Sequence, residues 1–252
     1  MYIAFMIIHK NFNELYEKYF NTIQKAIYNC LEDKNYVHIY FNSKHNVHKY
    51  DKFFTHGRFK LIHTTLDNYT NDIDTANVCY HNKVCKEGFD YHWIVKLNPD
   101  LLIFDEFIFK DMRTKYDYKH IHARSRYYIG PLQLKKHQKS NWETKSHLKY
   151  PKETLSIMDD QLYLIPYPLQ YFAFKSSSIG IPTIPETKRK HQYKDLKDIR
   201  SLHDMTIDQM VDSPERNQTL LWNMFNISLK ISEFYVVSFK NLAYYNLAHF
   251  NE

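Results

Sequence analysis

Asn98 and Asp100 flank Pro99 at the end of an apolar run, Tyr91 to Leu97, and a second apolar run, Leu101 to Phe104, follows at once. An apolar run rich in aromatic and β-branched residues and bounded by a Pro-containing break reads as a buried strand ending in a turn. In an open α/β sheet, ligands bind just beyond the carboxyl ends of the strands. An amide and a carboxylate projecting from one such turn offer oxygen ligands to a hard divalent cation, and such a cation can carry a diphosphate. Asn-Pro-Asp is also sound turn chemistry in its own right, so the same three residues satisfy a purely structural reading.

Other side chains could join such chemistry. Lys96, Arg124 and Arg126 could neutralise a diphosphate or an acceptor, and each serves equally well as a solvated surface charge. Arg124 is the stronger of the two arginines, because it follows the alternating segment His120-Ile121-His122-Ala123. Asp159 and Asp160 form an acidic pair ahead of an apolar run. Neighbours in an extended segment face opposite ways, so at most one of the two reaches a given point. His120 and His122 share one strand face, but no third ligand follows at zinc spacing. The chain has only four glycines and neither a GxGxxG nor a GxxxxGK[ST] run, which excludes a Gly-rich phosphate loop.

Composition narrows the classes further. The formal charge is +6 with 15 His, which suits a polyanionic ligand without requiring one. The densest basic run, Lys188 to His191, reads as a solvated loop. Acids are spread evenly along the chain, which speaks against a nucleic-acid-binding module. The 22 Tyr and 17 Phe, with much Asn, Lys and Ile, read as codon bias of an AT-rich genome. Cys30, Cys79 and Cys85 form no CxxC, and their odd number argues for reduced thiols and a cytoplasmic setting. The apolar run after Met1 is too short for a membrane helix and lacks a basic flank, so neither a targeting signal nor a membrane span is expected.

These side chains need elements to hold them. Tyr2 to Ile8, Tyr36 to Phe41, Phe59 to His63 and Tyr91 to Leu97 read as strands. Between them, a helix capped by Asn11 or Asn13 runs to about Leu31, and a second starts at Asp72 or Asp74 and ends towards Gly88. Alternating strands and helices predict a mainly parallel sheet with crossover helices. Beyond residue 100 a short helix is expected from Phe104 to Met112 and a strand from Lys119 to Arg124. A broken strand should follow from Leu162 to Phe174, then a helix opened by Ser213-Pro214-Glu215 and continuing through Leu229, and a last strand from Phe234 to Phe239. Residues 131–153 and 180–195 read as loops, and one domain is expected over 1–252.

The order of these pieces resembles the GT-A class of nucleotide-sugar glycosyltransferases. The matching stretch is residues 82–100, in which a helix ends, an aromatic-rich strand follows and an acidic turn closes it. Lys96, Pro99, Asp100 and Leu101 resemble the K/R-x-R-P-D-L turn of several small bacterial and large-DNA-virus glycosyltransferases. Met158-Asp159-Asp160-Gln161 and Ser213-Pro214-Glu215-Arg216 look similar to later pieces of that pattern. The resemblance implies a GT-A-like single domain, with residues 1–105 binding the nucleotide sugar and 106–252 the acceptor. It implies transfer of a sugar from a UDP-, GDP- or dTDP-linked donor to a hydroxyl of a glycan or protein, in the cytoplasm (of the host, for a viral chain). Asp100 and Asn98 would hold Mn²⁺ or Mg²⁺, less tightly than two acids because an amide brings no charge. His9, Lys10, Asn42, Ser43, Lys96 and Arg124 would line the donor site. Asp160, or its neighbour Asp159, would be the base of an inverting displacement. His203-Asp204 lies where some members bring a late His to the metal. The competing class is a nucleotidyltransferase or other nucleotide-binding α/β protein, which needs further carboxylates for two metals.

Overall fold

Six of the seven residues of Tyr2–Ile8 (β1) are buried, with no polar alternation. A strand apolar on both faces is stable only inside a sheet covered on both sides. That is where β1 lies. The computed structural model describes residues 1–9, 14–44, 47–65, 72–129, 155–178, 215, 218–219, 222 and 227–238. Within them β1 is paired in parallel with Tyr36–Asn42 (β2) on one side and Trp93–Leu97 (β4) on the other. Phe59–Thr64 (β3) adds in parallel to β2. Leu155–Pro166 (β7) runs antiparallel to β4 and to His120–Ile129 (β6), and Ser228–Ile231 (β8) lies parallel to β6. The seven-stranded order is β3-β2-β1-β4-β7-β6-β8, so β7 alone opposes the common direction. Leu101–Ile103 (β5) and Val236–Ser238 (β9) form a separate small antiparallel sheet.

Helices cover both faces of the large sheet. Glu14–Asn29 (α1) lays Phe20, Ile23, Ala26 and Ile27 against Phe5, Phe41, Trp93 and Val95. Asp72–Asn82 (α2) and Tyr167–Ser178 (α4) cover the other face, where Ala76, Cys79, Tyr80, Ala173 and Phe174 meet Ala4, Met6, Tyr40 and Ile94. The rings of Tyr80 and Phe174 stack at 4.1 Å and join the two helices. Burying such rings stabilises a core by about 1.5–3 kcal/mol each. Gly88 stops the turn after α2 at φ 72, a conformation that suits a residue without Cβ, and the chain then enters β4. This is the α/β architecture expected from the sequence: a central, mainly parallel sheet flanked by helices, with residues 93–97 as an interior strand.

The second half departs from expectation in three places. Residues 104–111 form bends and turns, and only Met112–Lys115 (α3) is helical. Asp105 bends the start by accepting from the Phe107 amide, and Asp111 takes φ 52, which breaks a helical run. The expected broken strand is instead a long strand, β7, followed directly by helix α4. Pro166 closes the strand, and Pro168 falls in the first helical turn, where its missing N–H costs nothing. Leu229 belongs to β8 rather than to the late helix, whose expected start at Ser213 and Pro214 lies outside the described residues. The expected loops over 131–153 and 180–195, and the pair His203-Asp204, also lie outside them. No helix among the described residues is long and apolar enough to cross a membrane.

Candidate active site

The sheet order reverses beside β1. From β1 the chain builds outwards to β2 and β3, then returns to place β4 on the other side of β1. In such sheets the divergence of the connections sets the usual ligand position beyond the carboxyl ends of the strands beside the reversal, here β1 and β4. His9 follows β1, Asn42 and Ser43 stand at the end of β2, and Lys96, Asn98 and Asp100 stand at the end of β4. The parallel register therefore brings six of the sequence candidates to one edge.

Lys96 is the centre of this edge. It has no solvent exposure, yet it sits in a strand of otherwise apolar residues. Burying an ammonium requires oxygen partners. Its Nζ donates to Asn98 Oδ1 at 2.7 Å and to the Asp160 carbonyl, and it lies 5.8 Å from the centre of the Tyr163 ring. Asn98 uses its other amide atom to donate to Asp72 Oδ2 at 2.8 Å, at the first turn of α2. Its backbone N–H donates to the Gln161 carbonyl at 2.9 Å. Asn98 thus ties β4 to α2 and β7 together.

Asp100 is 1% exposed. Its Oδ2 accepts from Ser238 Oγ at 3.0 Å, across from β9. Its Oδ1 is buried and accepts no hydrogen bond among the described residues. A buried carboxylate oxygen left without a donor is costly, and a bound cation would satisfy it. The Tyr16 hydroxyl, 3.5 Å from His9 Nε2, has its pKa pushed up to about 12, first by burial and then by the charges of Asp100 and Asp72. Burial likewise raises that of Tyr163, with Asp160 and Asp72 adding to it. Asp72 reaches the turn through Asn98, Asp160 through its carbonyl on Lys96, and Asp100 stands two residues beyond Asn98, so three acids gather at the turn that follows the buried lysine. Such a surplus of negative charge at a crevice suits a divalent cation, with Asp100 Oδ1 as the open ligand atom. Asn98 Oδ1 is already committed to Lys96 in this arrangement.

The acidic pair lies inside β7 rather than before it. Ala123 pairs with Tyr163 and Ser125 with Met158, so Asp159 to Leu162 bulge opposite Arg124 alone. Bulges of this kind re-aim side chains. Here the two acids separate. Asp159 Oδ2 accepts from both Arg124 Nε, at 3.1 Å, and Arg124 Nη2, while Arg124 Nη1 donates to the Val236 carbonyl. Asp159 and Arg124 thus hold β6, β7 and β9 together. Asp160 is half-buried and turns its carbonyl to Lys96. Lys10 and the side chain of Arg126 lie outside the described residues. His122 is buried, with Nε2 3.0 Å from the Asp117 carbonyl and Nδ1 3.2 Å from Ser232 Oγ, and His120 faces Asp117 at 2.5 Å. Sequence reasoning missed Tyr16 and Ser238 altogether and saw Asp72 only as a helix start. No local signal marks the first two, because long-range packing brings them to the turn.

No family model matches the chain, and no curated protein matches it. Among solved structures, the galactosyltransferase LgtC, in complex with donor and acceptor sugar analogues, matches over 92% of this chain and 73% of its own, with 14% identity and a TM-score of 0.43. Mouse xyloside xylosyltransferase 1 matches over 92% of this chain and 84% of its own, with 12% identity and a TM-score of 0.46. A Bacillus anthracis protein assigned as a glucose-1-phosphate thymidylyltransferase, solved with sucrose, matches over 94% and 89%, with 11% identity and a TM-score of 0.44. These identities and scores leave the chemistry to be argued from this chain's own residues.

Proposed function

We propose that this chain is a glycosyltransferase that moves a sugar from a nucleoside-diphosphate donor to a hydroxyl of a glycan or protein acceptor. The observation that carries the reading is the buried Oδ1 of Asp100, which accepts no hydrogen bond among the described residues and stands in the turn after β4, beside the reversal of strand order. A divalent Mn or Mg ion supplies charge neutralisation for a leaving diphosphate when bound. Asp100 would hold that ion. Asn98, engaged by Lys96, places Asp72 and orients the turn. Lys96 sets the potential of the crevice from beneath and fixes the backbone at Asp160. His9, Asn42 and Ser43 border the base and ribose, with Lys10 the further candidate beside them. Asp160 takes the acceptor proton as the anomeric carbon is attacked with inversion. Arg124 supports this wall of the site through Asp159 and positions rather than touches the donor.

Thermal shift with UDP-, GDP- and dTDP-sugars, with and without Mn²⁺, tests donor binding, because a ligand that binds only the folded chain raises its stability. Asp100→Ala should abolish both the shift and transfer. Unchanged binding and turnover in Asp100→Ala would remove the turn from the mechanism. The products separate this reading from nucleotidyl transfer. A glycosyltransferase releases nucleoside diphosphate when acceptor is added, whereas a nucleotidyltransferase releases pyrophosphate from a nucleoside triphosphate and a sugar phosphate.

A further inference from the structure

Among the described residues, one further group of ligand-bearing side chains converges: His48, Asp51 and His63 offer ligand atoms that all lie within 4.8 Å of one another. His48 and Asp51 belong to the 3₁₀ turn His48–Phe53 between β2 and β3, and His63 belongs to edge strand β3. In a 3₁₀ turn, side chains three residues apart eclipse, which puts His48 and Asp51 on one side. His48 Nδ1 is 3.1 Å from Asp51 Oδ2, and His63 Nε2 is 2.9 Å from Asp51 Oδ1.

The second contact is short, yet it lacks hydrogen-bond geometry. Asp51 Oδ1 and both ring nitrogens of His63 are shielded from solvent and make no hydrogen bond among the described residues. The two imidazoles stand only 3.9 Å apart between centroids, an arrangement that two protonated rings would resist. Phe41 stacks on His63 at 5.3 Å and 9° and holds its plane. Lys49 and Lys52, on the same turn, pair with Glu17 and so direct their charges elsewhere.

We infer that His48, Asp51 and His63 form a binding site for a borderline divalent transition metal, Zn²⁺ foremost, which pins the β2–β3 connection to the edge strand. Two imidazoles and a carboxylate are a nitrogen-rich set that suits zinc rather than magnesium or calcium. With zinc–ligand bonds of about 2.0–2.2 Å in tetrahedral geometry, ligand atoms stand roughly 3.3 Å apart; each imidazole already lies near that distance from one oxygen of Asp51, and all the ligand atoms lie within 4.8 Å of one another. Zinc binds neutral imidazole. His48 is 63% exposed, which leaves an entry path and room for water at a fourth position. The site shares no residue with the proposed donor crevice, although Asn42 and Ser43 of that crevice lie on β2, the strand beside β3, and the cation position at Asp100 follows β4. β3 is three strands from β4 in the sheet, roughly 14 Å at the usual strand spacing.

The test uses the full chain stripped with EDTA and dialysed at pH 7.5. Zn²⁺ titrated against a chromophoric chelator should bind at one equivalent, and Co²⁺ should give the intense visible absorption of a four-coordinate site. Zn²⁺ should raise the melting temperature. His48→Ala removes an exposed ring and leaves the fold intact; it should weaken zinc at least tenfold and abolish both the cobalt band and the thermal shift. His63→Ala should do the same, and Asp100→Ala should leave all three readings as they are. Failure of the donor assignment would not touch this result, since the two sites share no residue. Absence of zinc binding at micromolar free metal, or wild-type affinity in His48→Ala, would overturn the site.

Discussion

At the scale of single residues, the two neighbouring acids divide their work, and the division can be tested. Asp159 is gripped by Arg124, whereas Asp160 has its carbonyl on Lys96 and its side chain half-buried near the crevice. Asp160→Asn should slow turnover about 10²–10⁴-fold while leaving donor binding nearly intact, since an amide cannot take a proton. Asp159→Asn should instead cost about 1.5–3 kcal/mol of stability, the worth of a hydrogen bond to a charged group, with turnover per folded molecule largely kept. Urea denaturation and steady-state rates on both variants distinguish the two. The reverse pattern would move the base one residue back. Lys96→Met keeps the length of the side chain but strands Asn98 Oδ1 and the Asp160 carbonyl. It should lower the urea midpoint by an amount equivalent to about 1–3 kcal/mol. A fully stable Lys96→Met would mean that the buried ammonium does not organise the turn.

At the scale of elements, entry into the central strand depends on a backbone turn rather than on packing. Gly88 takes φ 72, and a Cβ built on it meets nothing within 4 Å. Gly88→Ala should therefore destabilise only through the left-handed backbone, by about 1–2 kcal/mol, and Gly88→Asn by less. Equal stability of all three chains in urea would remove this constraint. The helices were legible where their apolar spacing stayed regular, as in α1. They were not legible in residues 162–174, where two prolines suggested a break. The strand and helix there abut without a loop, and Pro166 and Pro168 sit at the junction, where neither interrupts a hydrogen-bond ladder. Placing Asp159 and Asp160 within a strand, and separating them by a bulge, required the three-strand contact of β4, β7 and β6.

At the scale of the whole molecule, buried and partly buried imidazoles couple stability to pH. Burial lowers the pKa values of His38, His63, His92 and His122 below their ordinary 6.5. The unfolded chain then binds protons that the folded chain refuses. Their contribution is fully present above pH 6.5 and is lost as pH falls from there through the lowered native values. Urea midpoints should be flat from pH 8 to 7 and fall between pH 6.5 and 5, with a shallower fall in His122→Gln. A midpoint independent of pH over that range would contradict the burial of these rings. Much of the architecture could be read from local pattern. Uninterrupted apolar runs at Tyr2 to Ile8 and Tyr91 to Leu97 require a sheet covered on both faces, alternation with helices requires it to be mainly parallel, and Asn-Pro-Asp marks a turn at the end of its central strand. Those are properties of neighbours in the chain, and sequence by itself determined them. Which oxygen of Asp100 stays open, that Arg124 binds Asp159, that Asp72, Tyr16 and Ser238 join the turn, and that His48 and Asp51 meet His63 were decided only by tertiary structure. Each depends on side chains brought together from separate elements, and their contacts follow from sheet order and register, which no local pattern of residue types encodes.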